Sequence, residues 1–237
     1  MEEHIKKIGT NEFGQHEVVY DIFFLSYYEP LAELHWKLLS ESQPHARRID
    51  GITGILAAYR HCAFLSRTSH FFVVDADNEL LNMDFSIKIP SYDEEYVYIW
   101  NAKNPVNGLA YGFGSIKLFP KKQLLLKTEM PLDMTTSFAF KIMPEIGSIT
   151  HFNTSQFDTW RSAFRECVKL VKYDTEKSHS WLKVWTTVAY GPFADWCLKG
   201  ANSGMDYGLL HQNSPEMLSK INDWAWLKEQ FEMENSQ

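Results

Sequence analysis

The run His70-Phe71-Phe72-Val73-Val74-Asp75-Ala76-Asp77 constrains the fold more than any other stretch of the chain. Phe and Val succeed one another without polar alternation, which suits a strand covered on both faces, as in a parallel α/β sheet. The run ends in two carboxylates separated by one small residue. Ligands of such sheets bind beyond the carboxyl ends of the strands, and residues i and i+2 of an extended segment point to the same side. Hard divalent cations prefer carboxylate oxygens and commonly take one or two of them together with substrate phosphates. Asp75 and Asp77 therefore predict a Mg²⁺ or Mn²⁺ site for a diphosphate. A solvated turn with two acids carries the same letters, so the remaining chain has to decide.

The segments before this run repeat one pattern. Val18 to Tyr27 reads as a strand ending in Ser-Tyr-Tyr-Glu-Pro, with Pro30 suited to a first helical turn. A helix over 31–40 carries Leu31, Leu34, Leu38 and Leu39 on one side, and Pro44 to Gly51 reads as a short strand and turn. Gly54 to Leu65 then has helical spacing through Ile55, Ala58, Cys62 and Leu65. The order is strand, helix, strand, helix, strand, a βαβαβ half whose carboxyl edge binds nucleotides. A right-handed crossover sets the ends of the first and third strands together, so Ser26, Tyr27, Asp50, Asp75 and Asp77 are expected to share one crevice. No Gly-x-Gly-x-x-Gly follows the first strand and there is no Gly-Lys-Thr, which removes the main support for dinucleotide and P-loop readings.

After Asp77 the pattern changes. Phe85 to Pro90 and Tyr96 to Trp100 read as short strands, and Lys103 to Pro120 mixes turn residues with aromatics, as a shaped binding loop or a chain of turns would. Ile149 to Ser155 precedes an amphipathic helix over 157–173, whose core stripe is Trp160, Phe164, Cys167 and Val168. Arg161 and Arg165 share another face, where they could clamp a diphosphate or DNA phosphate, or pair with acidic neighbours. A helix over 192–200, a Gly-rich stretch from Gly200 to Gly208 and a closing segment from Ile221 to Phe231 complete the chain. Residues 1–17 read as a polar leader, and 18–237 as one domain with halves at 18–100 and 101–237.

Composition bounds the function. With 237 residues, 45% of them hydrophobic, the chain can bury a sizeable core. It has no apolar run of transmembrane length and no signal-peptide pattern at Met1 to Lys7, which predicts a soluble cytoplasmic protein without a membrane partner. Cys62, Cys167 and Cys197 are too few and too far apart for a disulfide framework or a Cys-x-x-Cys zinc site, and are expected as buried thiols. A net charge of −7 argues against non-specific attraction to nucleic acid, though not against a local basic face.

Four stretches in order carry a resemblance: Asp21 to Tyr27, Phe71 to Asp77, Lys103-Asn104-Pro105-Val106-Asn107-Gly108 through Gly114, and His151 through Trp160-Arg161-Ser162-Ala163-Phe164-Arg165-Glu166-Cys167. Together they resemble the GT-A-type glycosyltransferases of large tailed phages, the TET-associated glycosyltransferase-like group, over residues 18–230. The Asp-x-Asp is common to many glycosyltransferases; the asparagine-proline loop and the Trp-Arg-Ser-Ala-Phe-Arg-Glu stretch are more specific. The resemblance implies an α/β, GT-A-like (Rossmann-like) mixed sheet flanked by helices with a mostly helical C-terminal part. It implies transfer of glucose or arabinose from a UDP-sugar to 5-hydroxymethylcytosine in DNA, in the cytoplasm of a phage-infected bacterium. Mn²⁺ or Mg²⁺ would sit on Asp75 and Asp77, with His151 as a further ligand. Ser26, Tyr27, Asp50, Asp75, Arg161 and Arg165 would hold the donor, and Lys103, Asn104, Asn107, Tyr111 and Gly112 the acceptor, which a duplex would have to flip out of its stack. Tyr111, Phe113 and Trp100 are the aromatics available to stack on it. If transfer inverts the sugar carbon, Asp158 or Glu166 would serve as base, although Asp158 also suits a helix cap. Transfer to a sugar already on the base, to a non-DNA acceptor, and non-catalytic binding of modified DNA are the alternatives.

Overall fold

The structure, a computed structural model, describes residues 19–114, 116–129 and 132–236; the polar leader lies outside the described residues. The elements in chain order are β1 (Asp21–Ser26), α1 (Ala32–Ser42), β2 (Arg47–Asp50), α2 (Ile55–Leu65), β3 (His70–Asp75), β4 (Asn78–Leu80), β5 (Val97–Lys103), β6 (Ala110–Tyr111), β7 (Lys117–Pro120), α3 (Lys121–Leu126), β8 (Phe140–Thr150), α4 (Gln156–Tyr173), α5 (Glu176–Thr187), α6 (Ala194–His211), α7 (Pro215–Ser219) and α8 (Trp224–Asn235). The predicted βαβαβ half is present, and the whole is the expected mixed α/β sheet with a mostly helical C-terminal part. The strand order is β2-β1-β3-β7-β5-β8-β4, with β6 paired to β5.

β1 lies between β2 and β3, parallel to both. Its neighbours explain the unbroken apolar runs. Phe23, Phe71 and Val73 enter one core with Tyr59 and Cys62 of α2. Ile22, Phe24, Phe72 and Val74 enter another with Ala32 and Leu39 of α1. Alternate side chains of one strand thus serve two cores, and both faces must be apolar. Beyond β3 the sheet turns antiparallel through β7, and β5 then pairs with β8 in parallel.

One predicted strand is absent, and one long strand was not predicted. Phe85 to Pro90 forms no strand; Phe85, Ile87 and Ile89 are partly buried and pack on the α1-side core without ladder bonds. The unpredicted long strand is β8, which pairs with both β5 and β4. β8 contains Pro144, which cannot donate to a ladder. The register shifts there, and Asn101 Nδ2 donates to the Met143 carbonyl at 3.0 Å beside it.

The C-terminal half is built around α4. Ser155 caps it by accepting from the Asp158 amide at 3.0 Å, and Thr175, Ser214 and Asp223 cap α5, α7 and α8 in the same way. The predicted end of a helix at residue 200 is a correction: α6 runs on through Gly200, Gly204 and Gly208. Those glycines recur every four residues and form one stripe pressed on α4. A methyl group at Gly200 or Gly204 would overlap the backbone carbonyls of Trp160 or Phe164. Glycine lowers helix propensity by about 1 kcal/mol, but here the close approach of two backbones outweighs it. The three cysteines are buried and free, and no helix among the described residues is long and apolar enough to cross a membrane.

Candidate functional site

The parallel strands deliver their carboxyl ends to one edge. Ser26 stands opposite Asp50 in the β1–β2 register, and Leu25 opposite Asp75 in the β1–β3 register. The Ser26 hydroxyl donates to Asp50 Oδ1. Arg48, which sequence reasoning missed, completes this corner: its Nε donates to Ser26 Oγ at 2.9 Å, and its guanidinium reaches Glu33 at 2.6 Å and Asp50 at 3.6 Å. Tyr27 and Tyr28 follow with rings 4.3 Å apart, exposed at the rim. Tyr27 OH meets Thr53 Oγ1 at 3.2 Å, joining the loops after β1 and β2.

Asp75 and Asp77 lie on the same edge. Lys117 of β7, buried in the sheet, is 3.5 Å from Asp75. Burial, then the charges of Asp75 and Glu29, push the Asp77 carboxyl up to about 7, against the pull of Lys117 and Arg161. The oxygens of the two acids suit a hard cation that brings phosphate ligands with it. His151 fits that role less well. Its amide donates to the Asp77 carbonyl at 2.7 Å, but its Nε2 is 2.6 Å from Glu79. Among the described residues no three His, Cys, Asp or Glu side chains form a ready-made metal group. Asp75 and Asp77 would hold the ion, and the remaining ligands would come from substrate and water.

Arg161 and Arg165 lie across from this edge. Arg161 Cζ sits 4.0 Å from the Trp224 ring centroid, and its Nη2 is 3.6 Å from Asp158. Its charge is felt at Asp77, and burial followed by the neighbouring Arg165 holds its guanidinium down to about 10. Arg165 Nε donates to the Ile221 carbonyl at 2.8 Å and its Nη2 to Asn222 Oδ1 at 3.2 Å. Both arginines line a cavity of about 270 Å³ that also meets Gly54 and Ala57 at the start of α2. No side chain caps α2, and its first turn has no acid.

Other expected site residues are placed elsewhere. Asn104 Oδ1 accepts from the amides of Val106 at 2.8 Å and Asn107 at 3.3 Å, and Asn107 Oδ1 accepts from Leu109 at 3.1 Å. Both asparagines are buried, building their own loop. Tyr111 is also buried: its ring stacks on Trp181 at 4.2 Å, and its hydroxyl donates to Glu166 and accepts from Trp185, each at 2.8 Å. Trp100 is buried against Phe72, and Phe113 packs on Phe152 and Trp185. Gly112 approaches Ile99 rather than open space. Of the five residues expected to meet an acceptor, Lys103 is the exposed one.

The two expected bases separate. Glu166 is 3% exposed, with one oxygen accepting from Tyr111 and the other 2.6 Å from Lys169. Lys169 in turn reaches Asp133 at 3.3 Å. Burial raises the Asp133 carboxyl, but Lys169 overrides it and holds the group at about 2. Glu166 belongs to a buried charge network, not to the open edge. Asp158 is partly exposed and lies in the first turn of α4, whose cap is Ser155 and not Asp158; its carboxylate accepts from the hydroxyls of Thr154 at 3.1 Å and Ser155 at 2.6 Å. We expect Glu166→Gln to leave Lys169 short of a buried partner and to destabilise the fold by about 3 kcal/mol, read by chemical denaturation. In the folded fraction, turnover should stay within a few-fold of the parent; its complete loss would restore Glu166 as a base.

No family model and no curated protein matches the chain. Among solved structures, HddC from Yersinia pseudotuberculosis is similar at a TM-score of 0.35 and 16% identity, over 52% of this chain and 69% of that one. A likeness this slight adds nothing to the reading of the site.

Asn78 is the residue that the sequence hid. It is 1% exposed. Its Nδ2 lies 3.0 Å from Asp77 Oδ1, 2.7 Å from the Gly114 carbonyl and 3.3 Å from the Asp75 carbonyl. Its Oδ1 accepts from the hydroxyls of Ser148 at 2.6 Å and Thr150 at 3.2 Å. His35 adds a second tie, with Nδ1 2.8 Å from the Ala76 carbonyl. The acidic turn is therefore fixed by buried partners drawn from α1, β8 and the loop after β6. Asn78→Ala strands several of those groups and should cost about 2–3 kcal/mol; calorimetry checks this, and a change under about 0.5 kcal/mol would contradict the geometry.

Proposed function

We propose that this chain is a metal-dependent glycosyltransferase that moves glucose or arabinose from a UDP-sugar to 5-hydroxymethylcytosine in DNA. The observation that carries the donor half is the edge itself, where Asp75 ends β3 and Asp77 follows in the turn, on the same edge as the ends of β1 and β2, with Arg161 opposite. Tyr27 offers an exposed ring to the nucleobase, and the Asp50 carboxylate, more than half exposed, can accept from ribose hydroxyls. Mn²⁺ or Mg²⁺ at Asp75 and Asp77 would supply Lewis-acid stabilisation of the leaving diphosphate. Asn78 holds the Asp77 carboxylate and, with His35, the backbone of the acidic turn in place before substrate arrives, so little reorganisation is needed when it does. In an inverting reaction Asp158 is the more accessible of the two expected bases for the acceptor proton. The acceptor rests on the sequence resemblance.

A second reading, transfer to a sugar or another non-DNA acceptor, is favoured by the net charge of −7 and by the buried state of Asn104, Asn107 and Tyr111. The direct test of the donor half is release of UDP from UDP-glucose or UDP-arabinose with Mn²⁺, suppressed by chelator. No release from any UDP-sugar, with or without acceptor DNA, would overturn it.

A further inference from the structure

The cavity between α2, α4 and α8 has a chemistry of its own. Arg161 and Arg165 lie one helical turn apart, and among the described residues Asp158, 3.6 Å from Arg161 Nη2, is the carboxylate in ion-pair reach of either; the two guanidinium groups keep a surplus of positive charge that a further anion would join. Both are held in place beforehand, Arg161 by stacking on Trp224 and Arg165 by its bonds to Ile221 and Asn222. Arg161 Nε is buried and has no hydrogen-bond partner among the described residues. Gly54 and Ala57 bring the start of α2 to the same cavity. Gly54 has a φ of 89°, and neither a capping side chain nor an acid occupies that turn, so its amide groups reinforce the arginines. The volume of about 270 Å³ suits a phosphate and the sugar next to it.

We infer that this cavity is a phosphate-ester pocket, gripping the phosphate of a nucleotide through Arg161 and Arg165 with protein cations alone. The inference rests on the nucleotide-sugar reading for its choice of probe. It goes further in separating phosphate recognition from the acid pair: the pocket binds without a divalent ion. A donor nucleotide and the backbone of an acceptor strand both present this chemistry.

The test is calorimetric titration of the full chain in excess EDTA with UDP, with uridine, and with a short single-stranded oligonucleotide containing 5-hydroxymethylcytosine. UDP is expected to bind at least about tenfold more tightly than uridine, the worth of one charge-assisted hydrogen bond. Arg161→Gln should remove most of that advantage. So should Ala57→Glu, which puts a carboxylate into the cavity at the third residue of α2, where a helix tolerates it well; unchanged melting of this variant shows that the fold is intact. If the oligonucleotide rather than UDP shows this sensitivity to both variants, the pocket stands and the phosphate belongs to the acceptor. Equal affinity for UDP and uridine with an insensitive oligonucleotide, or binding of both phosphate ligands unmoved by both variants, overturns the inference. UDP binding in a protein that transfers no sugar would sink the transferase reading alone. Transfer with an unchanged donor KM in both variants, together with arginine-independent binding, would sink the pocket alone.

Discussion

Gly204→Ala is expected to lower stability by about 3 kcal/mol, a fall in melting temperature of about 6–12 °C at this chain length. The added methyl group would meet the Phe164 carbonyl and Cα, which are backbone atoms of a helix and cannot rotate aside. α6 would have to back away from α4, opening contacts around Cys167, Cys197 and Ala201. Alanine's better helix propensity returns about 1 kcal/mol and does not offset that. Leu210→Ala on the same helix, at a side chain 77% exposed, should stay within about 0.5 kcal/mol. Similar melting temperatures for the two variants would contradict the close α4–α6 contact.

Asp77→Asn should have the opposite signature, with the fold kept and the chemistry lost. Asparagine is isosteric and can still accept from Asn78 Nδ2, which holds Asp77 Oδ1 at 3.0 Å. Because burial and Asp75 raise this carboxyl to about 7, its contribution to stability is fully present below its unfolded pKa of about 4. That contribution is lost as pH rises through about 7. At pH 8 the neutral variant should therefore melt at or slightly above the parent. Turnover with a UDP-sugar should fall about a thousandfold, since the leaving diphosphate loses several kcal/mol of stabilisation when the ion's site is broken. Turnover within a few-fold of the parent would remove the metal-site proposal, whatever the melting temperature.

How much could be read in the sequence depended on how local each feature was. β1, α1, β2, α2 and β3 were legible because each is specified by its own apolar spacing and by nearby turn residues. Their shared edge followed from connection rules alone. β8 was hidden because Phe140, Ile142 and Ile146 are exposed and Pro144 interrupts it, so the segment has neither alternation nor a continuous apolar run. α6 was cut short because Gly200, Gly204 and Gly208 read as flexible until α4 is placed against them. The site divides the same way. Asp75 and Asp77 stand three residues or fewer from one another and announce themselves. Asn78 gains its role from Gly114 and Ser148, 36 and 70 residues away. Tyr111 and Glu166 read as surface chemistry but find each other, 55 residues apart, inside the helical half.

The measurement that tests the central claim most directly is mass spectrometry of nucleosides from 5-hydroxymethylcytosine DNA, incubated with the protein, Mn²⁺ and either UDP-glucose or UDP-arabinose. The account predicts a hexose or pentose mass gain on the modified cytosine, absent with the Asp77→Asn variant and with unmodified DNA. Unaltered 5-hydroxymethylcytosine under every donor, alongside continuing UDP release, would contradict the acceptor; unaltered nucleoside with no UDP release would contradict the enzyme.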